Sequence, residues 1–119
     1  LVAREWSTGF ERSFKLAELL ARRVAELGLN DGVVMTYLEA LAEVADSLVA
    51  SKFGIKKAEE ASMMAGSILG QEVQETLRLA EKLDRKFIEE DVNPGSTADL
   101  IGASLFIALV KGTILRSEE

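Results

Sequence analysis

Asn93-Pro94-Gly95-Ser96-Thr97-Ala98-Asp99, continuing into Leu100-Ile101-Gly102-Ala103-Ser104-Leu105-Phe106-Ile107-Ala108-Leu109-Val110, is the stretch whose reading decides the fold. It holds the single proline of a 119-residue chain. Proline fixes its own φ and drives the preceding residue out of the helical region, and glycine accepts angles that other residues resist, so the chain must turn here. Ser96-x-x-Asp99 then has the pattern of a capping box, the Ser96 hydroxyl accepting from the Asp99 N–H and the Asp99 carboxylate from the Ser96 N–H. These signals predict a helix from about Thr97. Between Leu100 and Val110 it offers no polar face, only small and apolar residues with Ser104, which predicts a helix enclosed on all sides. Residues 98–112 are therefore expected to be the most buried segment.

Upstream of that turn, residues 72–89 predict a helix whose stripe is Val73, Leu77, Ala80, Asp84 and Phe87. An unpaired carboxylate on an apolar stripe is costly to desolvate unless a cation or donor meets it, which marks Asp84 as a candidate functional residue. Gly70 separates this helix from one over 55–69, where Ala58, Ala61, Ala65 and Ile68 make a small-residue face and Met63 and Met64 are expected to fill core gaps. Gly54 ends a further helix over 31–53, with Asn30 or Asp31 as its N-cap and Val34, Leu38, Leu41, Ala45 and Leu48 as its stripe. Asp46 lies on a second face of it with Ala42, Val49, Ala50 and Phe53, either partly enclosed or simply solvated. Gly28 ends the first helix, over 3–27, striped by Trp6, Phe10, Phe14, Ala17, Ala21 and Val24. An aromatic ladder could stack a purine, but aromatics at helical spacing are more often core.

No stretch alternates with period two, and no internal repeat is visible. The expected fold is all-α, a single-domain bundle of four to five helices with a buried C-terminal helix. Twenty acidic against 14 basic residues give a net charge of −6 with the basic residues scattered, which argues against nucleic acid or an anionic membrane as partner. The apolar run from Leu100 to Leu115 is about 16 residues and includes Lys111, short of the roughly 20 that span a bilayer. No signal-peptide succession is present, so a cytoplasmic location is expected. The chain has no cysteine and no histidine, which excludes disulfides, thiolate chemistry and the commonest general base.

Carboxylates are what remain for chemistry. Magnesium takes hard oxygen ligands, usually one or two carboxylates plus substrate phosphates, so Asp46, Asp84 and Asp99 are candidate metal residues. Asp99 is equally explained as a helix cap. A glycine-containing turn that opens a helix presents N–H groups to an anion, and Lys52, Lys56 and Lys57 precede the third helix.

Asn93-Pro-Gly-Ser-Thr-Ala-Asp99-Leu100, followed by Ala103-Ser104-Leu105-Phe106, resembles the C-terminal signature of the triphosphoribosyl-dephospho-coenzyme A synthase family: asparagine or serine, proline, glycine, two small residues, alanine, aspartate, leucine. Leu41 to Val49 with Lys52-Phe53-Gly54 is similar to that family's segment in which proline, aspartate and serine or threonine precede a basic residue and glycine. Ala45 stands where proline is common. Trp6 to Phe14 and Leu83-Asp84 also agree. The resemblance covers nearly the whole chain but about the C-terminal half of a family member. The family's N-terminal segments, some bearing histidine, have no counterpart here, so the chain is expected to be the C-terminal part of a longer protein and inactive alone.

The resemblance implies an all-helical transferase that moves the triphosphoribosyl group of ATP to 3′-dephospho-coenzyme A and releases adenine. It implies Mg²⁺ held by Asp46, Asp84 and Asp99, and phosphate met by Lys52, Gly95, Ser96 and Thr97; catalytic residues are not assigned. ATP and dephospho-coenzyme A are the expected partners, and a homodimer is left open. Two other classes stay in view. One is a non-catalytic helical dimerisation module. The other is an all-α magnesium-dependent nucleotide pyrophosphohydrolase, disfavoured because Met63 follows Glu59-Glu60 where that class needs a glutamate.

Overall fold

The computed structural model describes residues 2–113, with side chains from residue 11 onward. The described residues form six α-helices and no strand: α1 (Val2–Leu27), α2 (Leu29–Glu43), α3 (Ser47–Phe53), α4 (Ile55–Ile68), α5 (Val73–Glu89) and α6 (Gly95–Lys111). The all-α expectation holds. Gly28, Gly54 and Gly70 stand between helices with φ of 92°, 95° and 86°, as the breaks in periodicity imply. Among the described residues no helix is long and apolar enough to cross a membrane.

The helix expected over 31–53 is instead two. α2 stops at Glu43, and α3 restarts with Asp46 as its N-cap in extended backbone. The reason is local competition: the Asp46 carboxylate accepts from Leu48 N–H and Val49 N–H, which starts a new helix in place of continuing the old one.

The chain divides into two compact units, Leu1–Thr36 with Asp99–Glu119, and Tyr37–Ala98. In the first, Ala17 and Leu20 of α1 meet Ala108 of α6, flanked by Ala21, Val24, Val33, Leu105 and Ile107. α2 lies hard against α1, since a Cβ at Gly32 would stand 2.6 Å from the Val24 nitrogen. The buried side of α1 keeps Ala17, Ala21 and Val24 of the expected stripe and adds Ser13, Leu16 and Leu20. Phe14 is exposed, with the Lys111 ammonium 5.3 Å from its ring centre. The Trp6 and Phe10 side chains lie outside the described residues.

α6 departs from expectation. Ile101, Ser104 and Ala108 are buried, but Phe106 and Val110 are 68% and 70% exposed. A helix apolar all round has here found a partner for one face.

In the second unit α3 packs on α4 and α4 on α5. Ala58, Ala61 and Ala65 are fully buried, as their small-residue spacing implies. Ser62 Oγ donates to Leu41 O at 2.7 Å, and Thr76 Oγ1 to Ile68 O at 2.9 Å. Met63 is 75% exposed and fills no core gap, because it lies off the alanine stripe. α5 buries Thr76, Leu83 and Phe87. It ends in a Schellman turn: Val92 N–H donates to Phe87 O, Asp91 N–H to Ile88 O, and Asp91 takes φ 57° where glycine is usual.

Candidate functional site

The NPG turn is built as its sequence demands. Gly95 N–H donates to Asn93 O at 2.7 Å, a three-residue turn around Pro94, and Ala98 N–H then donates to Pro94 O at 3.0 Å to begin α6. Because the helix opens at Gly95, Ser96 lies inside its first turn. The expected capping box is therefore not formed. The Ser96 hydroxyl instead faces α3: it shares a 2.7 Å hydrogen bond with Ser47 Oγ and accepts from Leu48 N–H at 3.2 Å.

The acceptor that α6 needs comes from 51 residues away. Asp46 Oδ2 accepts from both the N–H and the Oγ1 of Thr97, each at 2.7 Å. Asp46 Oδ1 accepts from Leu48 N–H at 2.9 Å and Val49 N–H at 3.0 Å. One carboxylate thus caps its own helix and a second helix together. Two positive helix ends and four donors offset the desolvation of a group only 2% exposed. A Cβ on Gly95 would come 2.6 Å from Leu48 Cδ1, the end of an exposed side chain that would have to move aside.

Around this clasp the other candidates take distinct places. Tyr37, at the start of the same unit, is half-buried, and its phenol is pushed up to about 12, first by burial and then by the charges of Asp46 and Asp84. Asp84 is exposed, not enclosed on an apolar stripe: the packed face of α5 runs through Leu83 and Phe87, and one position is a turn of about 100° away from it. Lys52 is exposed, 3.0 Å from Asp91 Oδ2 and 5.4 Å from the centre of the Phe53 ring. Lys57 and Lys86 both hold Glu90, at 2.7 and 2.8 Å, and keep its carboxyl down at about 2. Asp99 is exposed on α6, in the other unit.

The structure therefore joins Asp46 to Thr97, and Ser47 and Leu48 to Ser96, and sets Asp84 within electrostatic reach of Tyr37. Among the described residues no group of three or more acidic side chains is placed to hold a metal ion. With four donors, the acceptor capacity of Asp46 is filled. Sequence reasoning missed Tyr37, Ser47 and Asp91. For Ser47 the signal was available, because an aspartate followed by serine and two apolar residues is itself a helix start.

Comparison with known proteins points to one family. Residues 1–117 match the family model described as CitG, ATP:dephospho-CoA triphosphoribosyl transferase. A solved structure from Archaeoglobus fulgidus, described as a candidate triphosphoribosyl-dephospho-CoA synthase, is 32% identical and superposes with a TM-score of 0.73. It is matched over 94% of this chain and 47% of its own, so this chain spans about half its length. No protein of curated function matches. The chain belongs to the CitG family of triphosphoribosyl transferases.

Proposed function

We propose that this chain is part of a transferase that moves the triphosphoribosyl group of ATP to 3′-dephospho-coenzyme A with release of adenine, in the cytoplasm, and that its share of the work is to hold the triphosphate of Mg-ATP. One observation carries the reading: the two segments that resemble the family's motifs, around Asp46 and around Gly95 to Thr97, are tied together through one buried carboxylate although 51 residues apart. A transfer that keeps the triphosphate and expels a base develops positive charge at the ribose. It needs the triphosphate clamped and the ribose among carboxylates more than it needs a histidine.

Within that reading the residues divide by the contacts they already make. Asp46, with its lone pairs filled, is a positioning residue that fixes the turn. Thr97 N–H and Oγ1 face Asp46, so Thr97 and Gly95 shape the turn, while the Ser96 hydroxyl and Lys52 are the groups able to swing to phosphate. The donor set does not fit a magnesium caged by protein alone, but it fits one that arrives on the triphosphate and takes one or two carboxylates. Asp84, exposed in the unit that holds the turn, would supply one. The metal's contribution is to neutralise triphosphate charge.

Thermal melts of the 119-residue chain test this. Mg-ATP at millimolar concentration is expected to raise the melting temperature, and Lys52→Ala and Ser96→Ala to shrink that rise, each measured against the same variant's melt in magnesium alone. The absence of any shift with Mg-ATP would sink the reading and favour a non-catalytic interaction module. No adenine is expected from ATP and dephospho-coenzyme A with this chain alone, because it spans about half of the matched structure; adenine detected by chromatography would show the division of labour to be wrong.

A further inference from the structure

We infer that the outward face of α6 is the surface on which the remainder of the CitG fold packs. The inward face is Ile101, Ser104 and Ala108, all buried. At 100° per residue Phe106 lies about 140° round from Ile101. With Gly102, Ala103, Leu109 and Val110 it makes a continuous stripe. None of these five carries a polar side chain, and all five are exposed, Leu109 at 39%, Phe106 and Val110 at about twice that.

A helix with one apolar face belongs at the edge of a core; a helix apolar on both faces belongs between two layers. α6 has one of its layers. An exposed apolar stripe with no charge in it marks a surface made to be covered. The small side chains of Gly102 and Ala103 beside Phe106 give a notch and a knob, the relief that helix packing uses.

The occupant follows from chain length. The Archaeoglobus fulgidus structure superposes on 94% of this chain and uses 47% of its own in doing so, so it holds about as much chain again with no counterpart here. That much chain must cover apolar surface on the matched half, and α6 presents such a surface. The occupant is thus an apolar helical face from that remaining stretch, in preference to a second copy of this chain.

The test uses the absence of cysteine in this sequence. The chain carrying Phe106→Cys, and separately Met63→Cys on α4 as an exposed control, is produced alone and together with the unmatched stretch of the Archaeoglobus fulgidus protein. Iodoacetamide alkylation is then followed by mass spectrometry. The two polypeptides are expected to purify as a 1:1 complex. In that complex the thiol of the Phe106→Cys variant should react at least about tenfold more slowly than in the chain alone, while the thiol of the Met63→Cys control is unchanged, burial being what protects it. Phe106→Asp, with its fold confirmed by circular dichroism, is expected to abolish the complex. Three results would each overturn the assignment: no complex, a complex in which the thiol on α6 stays fully reactive, or protection of that thiol in the chain alone with the sedimentation mass of a dimer. The readout is burial, not turnover, so its failure would leave the transferase reading standing.

Discussion

Asp46 shows how much one side chain can be asked to do. Its two oxygens accept four hydrogen bonds from two helix starts. Asparagine caps a helix as well as aspartate does, so Asp46→Asn keeps one side of the clasp and turns an NH₂ group toward the Thr97 N–H on the other. Leaving that buried donor unmatched costs about 1–3 kcal/mol, and Asp46→Ala, which also loses the α3 cap, about 3–5 kcal/mol; urea melts would measure both. Asp99→Asn is expected to fall within about 0.5 kcal/mol of wild type in the same assay, because Asp99 caps nothing and is exposed. Tyr37 is the single tyrosine, so absorbance near 295 nm reads it alone and should give a midpoint near 12, not 10. A phenol whose folded value is raised contributes stability that is complete below pH 10 and lost as pH rises through 12. Two units would be about 2.7 kcal/mol, reduced to about 1–2 kcal/mol for a half-buried group, and Tyr37→Phe should remove that share of the alkaline loss.

At the scale of elements, close approach outweighs propensity at Gly32. Alanine is worth up to about 1 kcal/mol over glycine inside a helix, but overpacking costs about 1–3 kcal/mol, and the new Cβ would meet backbone atoms of α1 that cannot swing aside. Gly32→Ala should therefore lower the melting temperature. Asp91→Gly should do the reverse by about 0.5 kcal/mol, since φ 57° strains aspartate and the exposed Lys52–Asp91 pair gives little back. Helix identity was legible because glycine punctuation and the 3.6-residue period report on local backbone. Three things were not legible. The break before Asp46 hid inside an unbroken apolar period. The capping box failed because a distant carboxylate supplied the acceptor, which no local pattern records. α6 was read as enclosed because apolar composition shows that a face must be covered, but not by what. In the site, the turn and Asp46 were found as residues, while Asp46's role as a clasp became visible only once α3 and α6 were seen to start together.

Acid sensitivity is a property of the whole molecule that one network should dominate. Glu90 is held down at about 2, first by its hydrogen bond to Lys57 on α4 and then by Lys86. A depressed carboxylate contributes stability above its unfolded value of about 4.5, and that contribution is lost as pH falls toward 2. Lys57→Met should flatten this acid limb of the stability curve, and added salt should do so in part, because the pairs are only partly buried. The clasp between Asp46 and Thr97 has a consequence in time as well as in energy. It closes a loop of 51 residues, an entropic cost of roughly 3–4 kcal/mol that the chain must meet before the contact returns anything. Local helices and the alanine face of α4 require no such closure and can form first. The clasp then belongs to the last step of folding and the first of unfolding. Asp46→Asn should speed the unfolding arm of a chevron plot and leave the refolding arm nearly where it was.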